Sequence, residues 1–183
     1  PGMQDEGETG MRVDHLPRVD AESQRERGRV WEDVLAQLDQ LPVAELSAAE
    51  RINLAIYRPQ VSDLADNVRF GSYEMPFNSD SSFWSDLGFI TRKPMRKTED
   101  VEAYLKLLAD IPRYFDEQTA NMRAGLKRGF SVPRAVLAGR DVSIAAVAGL
   151  EDPRASEFFK PLANLPATID AGSWQSNTNC CSP

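Results

Sequence analysis

Thr98-Glu-Asp-Val-Glu-Ala-Tyr-Leu-Lys-Leu-Leu-Ala-Asp-Ile-Pro112-Arg-Tyr-Phe-Asp-Glu-Gln-Thr-Ala-Asn-Met-Arg-Ala-Gly-Leu-Lys-Arg-Gly129 decides the fold class of this chain. Val101, Tyr104, Leu105 and Leu108 recur at three- and four-residue spacing, which places them on one stripe of a helix. Thr98 stands at the cap position, and Glu99, Asp100 and Glu102 suit the positive end of the helix dipole. Pro112 reads as the start of a second helix, because a first turn has no use for the N–H that proline lacks. Phe115, Thr119, Met122 and Leu126 then face the core, and Gly129 is the C-cap. The stretch reads as helix throughout.

The pattern extends in both directions. Upstream, Asp20 caps a helix that runs to Leu41 and stops at Pro42, with a stripe of Val30, Val34, Leu38 and Leu41 flanked by Trp31 and Leu35. Ser47-Ala-Ala-Glu50 is a capping box, in which hydroxyl and carboxylate satisfy free backbone N–H groups reciprocally. Ile52, Ala55 and Ile56 follow on one face, Pro59 interrupts, and Val61, Leu64, Ala65 and Val68 resume the period. One kinked helix or two abutting ones are expected, ending before Gly71. Residues 71–97 lose the helical period but hold Tyr73, Phe77, Phe83, Trp84, Phe89 and Ile90. A long loop this aromatic must bury its rings, so it is expected to be ordered and to pack over the helices. Downstream, Pro133 opens a further helix with Val136, Leu137, Ile144 and Val147, and Asp152-Pro153 ends it. Phe158, Phe159, Leu162, Leu165 and Ile169 form a last buried segment. Ala and Leu number 36 against 18 for Val and Ile, which also favours helix over sheet. The expected architecture is all-α: a polar arm over residues 1–19, a multi-helix lobe over 20–170 with a long ordered loop, and a polar tail over 171–183. At 183 residues the chain fits one domain or one large lobe of something bigger.

Composition closes several functional classes. The net charge of −7 disfavours nucleic acid, since phosphate binding wants a basic surface. Arg92, Lys93, Arg96 and Lys97 cluster locally, but Glu99, Asp100 and Glu102 follow at once, so a solvated loop into a helix start is the plainer reading and an anion or partner patch the sharper one. No apolar run approaches the ~20 residues of a membrane span. Residues 1–12 lack the apolar core of a signal peptide; a cytoplasmic location fits, and so does an exported one if a signal was removed before Pro1. His15 is the one histidine, and Cys180 and Cys181 are adjacent near the C-terminus. Zinc sites draw three or four ligands mainly from His, Cys and carboxylates, so no metal ligand, cofactor-binding or catalytic residue is assigned.

The remaining constellations read as structural. Asp116 and Glu117 near Arg113 and Arg123 are the best-placed carboxylate pair, but Asp116 and Arg113 are helical neighbours and suit a surface ion pair. His15 beside Asp14 is expected at the surface. Serines are plentiful over residues 79–85 without a Gly-x-Ser-x-Gly elbow. Gly125-Leu-Lys-Arg-Gly129 holds two glycines four apart, and helix termination explains Gly129.

Met122-Arg-Ala-Gly-Leu-Lys-Arg-Gly-Phe-Ser-Val-Pro-Arg134 resembles the N-terminal half of the bacterial domain of unknown function 885 family. Other stretches agree in order: Asn53-Leu54, Arg69-Phe70-Gly71, Met75-Pro-Phe-Asn78, Tyr104-Leu105, Ile111-Pro112-Arg113, and Phe158 with Pro161-Leu-Ala-Asn-Leu-Pro166. The similarity spans about residues 12–170. What the resemblance implies is a helical lobe that flanks the cleft of a zinc-metallopeptidase-like protein. The family's His-Glu-x-x-His helix and later acidic zinc ligand belong to its C-terminal half, and this sequence holds neither motif, so zinc is implied only for that other half. Pro59 and the polar residues after Ala171 depart from the pattern; a truncated or frame-shifted product, or a split gene, would account for the ending. The expected partners are a second copy of the chain or a separately encoded C-terminal half. The alternative is a self-standing interaction module that binds through the aromatic loop at 77–90.

Overall fold

Helix α1 (Ala21–Asp39) begins where Asp20 accepts the backbone N–H groups of Glu22 and Ser23, at 3.1 Å each. A hydroxyl hydrogen bond from Ser23, 2.8 Å long, completes this cap. Helix α2 (Ala48–Arg69) starts at the expected capping box: the Ser47 N–H donates to Glu50 Oε2 at 2.7 Å and the Glu50 N–H to Ser47 Oγ at 3.3 Å. It passes through Pro59 as one element and ends in Gly71, whose φ of 70° is the left-handed conformation that glycine adopts without strain. Helices α1 and α2 pack on each other. Gly28 makes that contact close, since a Cβ there would lie 2.9 Å from Val68 Cγ1.

These helices belong to a computed structural model that describes residues 14–166 and Ile169. The cysteine pair, the tail after 170 and most of the polar arm lie outside the described residues. All-α holds: among the described residues every regular element is helical, and none is long and apolar enough to cross a membrane. The chain divides into two compact units. One contains residues 14–17, 81–113 and the described residues from 134 onward; the other contains 18–80 and 114–133.

The third helix, α3 (Thr98–Lys127), corrects the reading of the opening stretch. Pro112 lies inside it rather than at the start of a new helix. The proline ring points to solvent, so it forfeits one backbone hydrogen bond without entering a packed face. Buried positions continue on both sides of it: Val101, Tyr104 and Leu107 before, Tyr114, Gln118, Asn121 and Gly125 after. Thr98 is the first helical residue rather than the cap; the Asp100 carboxylate takes the preceding N–H groups of Arg96 and Lys97, at 3.0 and 3.1 Å. Beyond Pro112 the inward face is also rotated from the expected one. Leu126 is 68% exposed, and Phe115, Thr119 and Met122 are half-buried. Polar side chains hold the inner positions because they find partners there, as Asn121 does by donating to the Val19 carbonyl at 2.7 Å.

The end of α3 is a Schellman motif. The Phe130 N–H donates to the Gly125 carbonyl at 2.8 Å and the Gly129 N–H to the Leu126 carbonyl at 3.1 Å, with Gly129 at φ 77°. Three short helices follow: α4 (Arg134–Leu137), α5 (Val142–Ala148) and α6 (Lys160–Ala163). The single helix expected after Pro133 is therefore two, split at Gly139, whose φ of 76° no helix accommodates. Val142, Ile144 and Val147 of α5 are exposed rather than core residues. The aromatic loop is ordered as expected: a 3-10 stretch, Ser85–Arg92, and the residues leading into it seat Phe83, Leu87 and Ile90 in the interior.

The described end of the arm is extended, and its backbone finds partners on α3. Leu16 is 1% exposed, and the chain there is tied to α3. The Leu16 N–H donates to Asp110 Oδ2 at 2.7 Å, and Arg113 Nη2 donates to the Leu16 carbonyl at 2.9 Å. In the other unit the Val19 N–H donates to Glu117 Oε2 at 2.8 Å. Extended backbone has no partners of its own, so carboxylates on a neighbouring helix supply them.

Candidate functional site

A concavity forms where the 3-10 stretch and α6 come together in the first unit. Past Arg92 the backbone straightens at Lys93, which leaves Lys93 exposed and turns Met95 inward. Asp100 fixes the next two residues through the bonds to Arg96 and Lys97 described above. The opposite wall is positioned by Tyr104, whose hydroxyl donates to the Phe158 carbonyl at 2.6 Å. Burial, with the Glu157 charge adding to it, pushes the Tyr104 phenol up to about 12, so it stays a donor at any ordinary pH. Ser156 Oγ accepts the Phe158 N–H at 3.2 Å and shapes the turn into α6.

The resulting cleft holds about 380 Å³, within the usual span of small-molecule sites. Its apolar lining is Met95 and Pro161; its polar lining is Thr91, Lys93, Glu157, Lys160 and Asn164. Two ammonium groups and one carboxylate therefore share the cleft. Among the described residues, none that lines it is a cysteine or histidine. Among the described residues, no three or more His, Cys, Asp and Glu side chains are grouped to hold a metal ion.

The residues singled out from sequence are dispersed. His15 is an exposed side chain 3.1 Å from Asp14, which also receives Lys106 Nζ at 3.1 Å. Asp116 is exposed, whereas Glu117 is engaged by Arg18 at 2.8 Å and by the Val19 N–H, so the two carboxylates are not a working pair. Arg113 pairs with Asp110 at 2.6 Å, on the turn before it rather than with Asp116 on the turn after. Ser82 and Ser85 bond to each other through their hydroxyls. Trp84 donates its indole N–H to Ser143 Oγ at 2.9 Å, and its ring meets Phe83 edge-on at 5.0 Å between centroids. Of the basic cluster, Lys93 alone lines the cleft. Glu157 and Lys160 had no signal in the sequence, and Asn164 stood out only within the stretch that carries the family resemblance, because nothing in their spacing tells that α6 packs beside residues 91–95.

The joint between the ends of α2 and α3, in the second unit, uses the segments that carry the family resemblance. Arg128 donates to the Phe70 carbonyl at 3.1 Å, pairs with Glu74, and lies 4.2 Å from the centroid of the Phe130 ring. A Cβ on Gly71 would strike Arg128 Nη2 at 2.7 Å, and one on Gly125 would strike the Phe130 carbonyl at 2.6 Å. Arg69-Phe70-Gly71 and Gly125-Leu-Lys-Arg-Gly129-Phe130 thus form one structural joint.

No curated protein and no solved structure matches the chain significantly. The sequence pattern described as "Bacterial protein of unknown function (DUF885)" matches residues 4–179, nearly the whole chain and including that joint. The chain belongs to the DUF885 family of bacterial proteins.

Proposed function

We propose that this chain is a non-catalytic helical lobe of a zinc-metallopeptidase-like protein, one that flanks a substrate cleft and leaves metal chemistry to residues outside this sequence. The observation that carries the reading is a mismatch between family and inventory. The family pattern covers residues 4–179, yet the chain holds one histidine, no His-Glu-x-x-His and a single adjacent pair of cysteines. Hydrolytic zinc takes three protein ligands and a water, and helix-borne histidines supply most of those ligands in such enzymes. The alternative, a module that binds through the loop at 77–90, draws less support. Phe83, Leu87 and Ile90 of that loop are already buried, and the Trp84 indole N–H is bonded to Ser143.

Metal analysis and peptide hydrolysis test the proposal together. Protein purified without chelators should carry far less than one zinc per chain and cleave no peptide. Mixed with a family segment that bears His-Glu-x-x-His, it should form a complex of one copy each. About one zinc per chain, abolished by His15→Ala, would overturn the reading.

A further inference from the structure

We propose that the cleft between residues 91–95 and α6 binds a small, doubly charged organic oxyanion, its carbon skeleton against Met95 and Pro161. The inference rests on the cleft alone and not on the family's chemistry. Lys93 and Lys160 both line it, and neither is ion-paired among the described residues. Two other cations of the same unit are ion-paired, Arg113 with Asp110 and Lys106 with Asp14, and neither of them lines the cleft. In a chain with a net charge of −7, two unmatched ammonium groups beside one cavity form a local reversal of sign. Two point charges without fixed direction suit a carboxylate pair or a phosphate ester. The Asn164 amide and Thr91 hydroxyl add both donors and acceptors for the ligand's remaining polar atoms. Met95, buried beneath the cleft, and Pro161 offer an apolar surface that an inorganic ion would not use.

Glu157 supplies the internal control. It lines the same cleft and repels an anion there, so removing its charge should strengthen binding while removing either lysine weakens it. The experiment is calorimetric titration of the whole chain with succinate and with glycerol 3-phosphate, against sodium chloride at matched ionic strength. Saturable binding of either compound is expected, and which one binds separates the carboxylate from the phosphate source. Lys93→Ala and Lys160→Ala should each weaken it by roughly tenfold, and Glu157→Gln should tighten it severalfold. A gain from Glu157→Gln cannot arise from misfolding. The absence of saturable binding by both compounds, or binding indifferent to all three substitutions, overturns the proposal.

Discussion

Gly125 sets two effects of opposite sign against each other. In a helix interior alanine is favoured over glycine by about 1 kcal/mol. Here a Cβ would sit 2.6 Å from the Phe130 carbonyl and 2.9 Å from Glu74 Cβ. The first of these atoms is backbone held by the Schellman motif, so it cannot rotate aside. Gly125→Ala should therefore destabilise by about 1–3 kcal/mol, the range typical of overpacking, and a stabilised variant in urea unfolding would show that the joint yields. Asp110 poses a different question, that of pH. The Arg113 guanidinium first, and then the Leu16 N–H, hold its carboxyl below the usual carboxylate range. A lowered pKa in the folded state means that the charged form is the stabilising one. Its contribution is complete above the unfolded value of about 4 and disappears as pH falls through the lowered folded value. Asp110→Asn should cost about 1–3 kcal/mol near neutrality, and the difference from wild type should shrink steadily below pH 4 or so. A cost that stays constant into acid would mean that the ion pair contributes nothing and only shape matters.

Helix boundaries are legible where a side chain satisfies the backbone itself. Asp20, the Ser47–Glu50 box and Gly129 act where their residue types indicate. Proline is the ambiguous sign. At Pro112 its local meaning, a helix start, loses to packing that buries Leu107 and Tyr114 on either side. The inner face beyond Pro112 is hidden from the sequence because apolar residues ordinarily mark such a face, whereas Gln118, Asn121 and Gly125 occupy it here. The cleft is legible by one residue, Lys93; its other wall comes from Glu157 to Asn164, and only tertiary packing joins them. A consequence for α3 can be measured. Pro112 deprives the helix of one hydrogen bond and its ring is exposed, so Pro112→Ala removes a defect without opening a cavity. The unfolded chain gains freedom from the same change, which offsets part of the benefit by about 0.4–1 kcal/mol. The net expectation is a gain of about 1–2 kcal/mol with unchanged helix content by circular dichroism. A loss of stability would mean that the proline itself is required for packing.

Across the whole molecule, charge and apolar surface pull in opposite directions. If the proposed lobe packs against a separate half, an open apolar patch would be expected near Phe158, Phe159, Leu162 and Leu165, yet these residues are half-buried. Large exposed apolar side chains lie instead on α2, where Ile52 and Ile56 are 60% and 56% exposed with Tyr57 and Leu64 also outside, and on α5. Ile52 and Ile56 are one turn apart and so share a stripe, which is the arrangement an amphipathic helix presents to a partner. A net charge of −7 opposes contact between copies at low salt. The Debye length falls from about 30 Å at 0.01 M to about 8 Å at physiological ionic strength, so added salt should remove that repulsion and leave apolar contact. Sedimentation velocity at micromolar concentration should therefore show association that increases with salt. Ile52→Ser/Ile56→Ser should reduce it while costing little stability, because neither side chain is buried. Anion binding at Lys93 and Lys160 must move the other way and weaken as salt rises, so one salt series separates the two surfaces. A chain that stays monomeric at every ionic strength would leave the α2 face without a partner role and would weaken the view that these helices are half of a larger assembly.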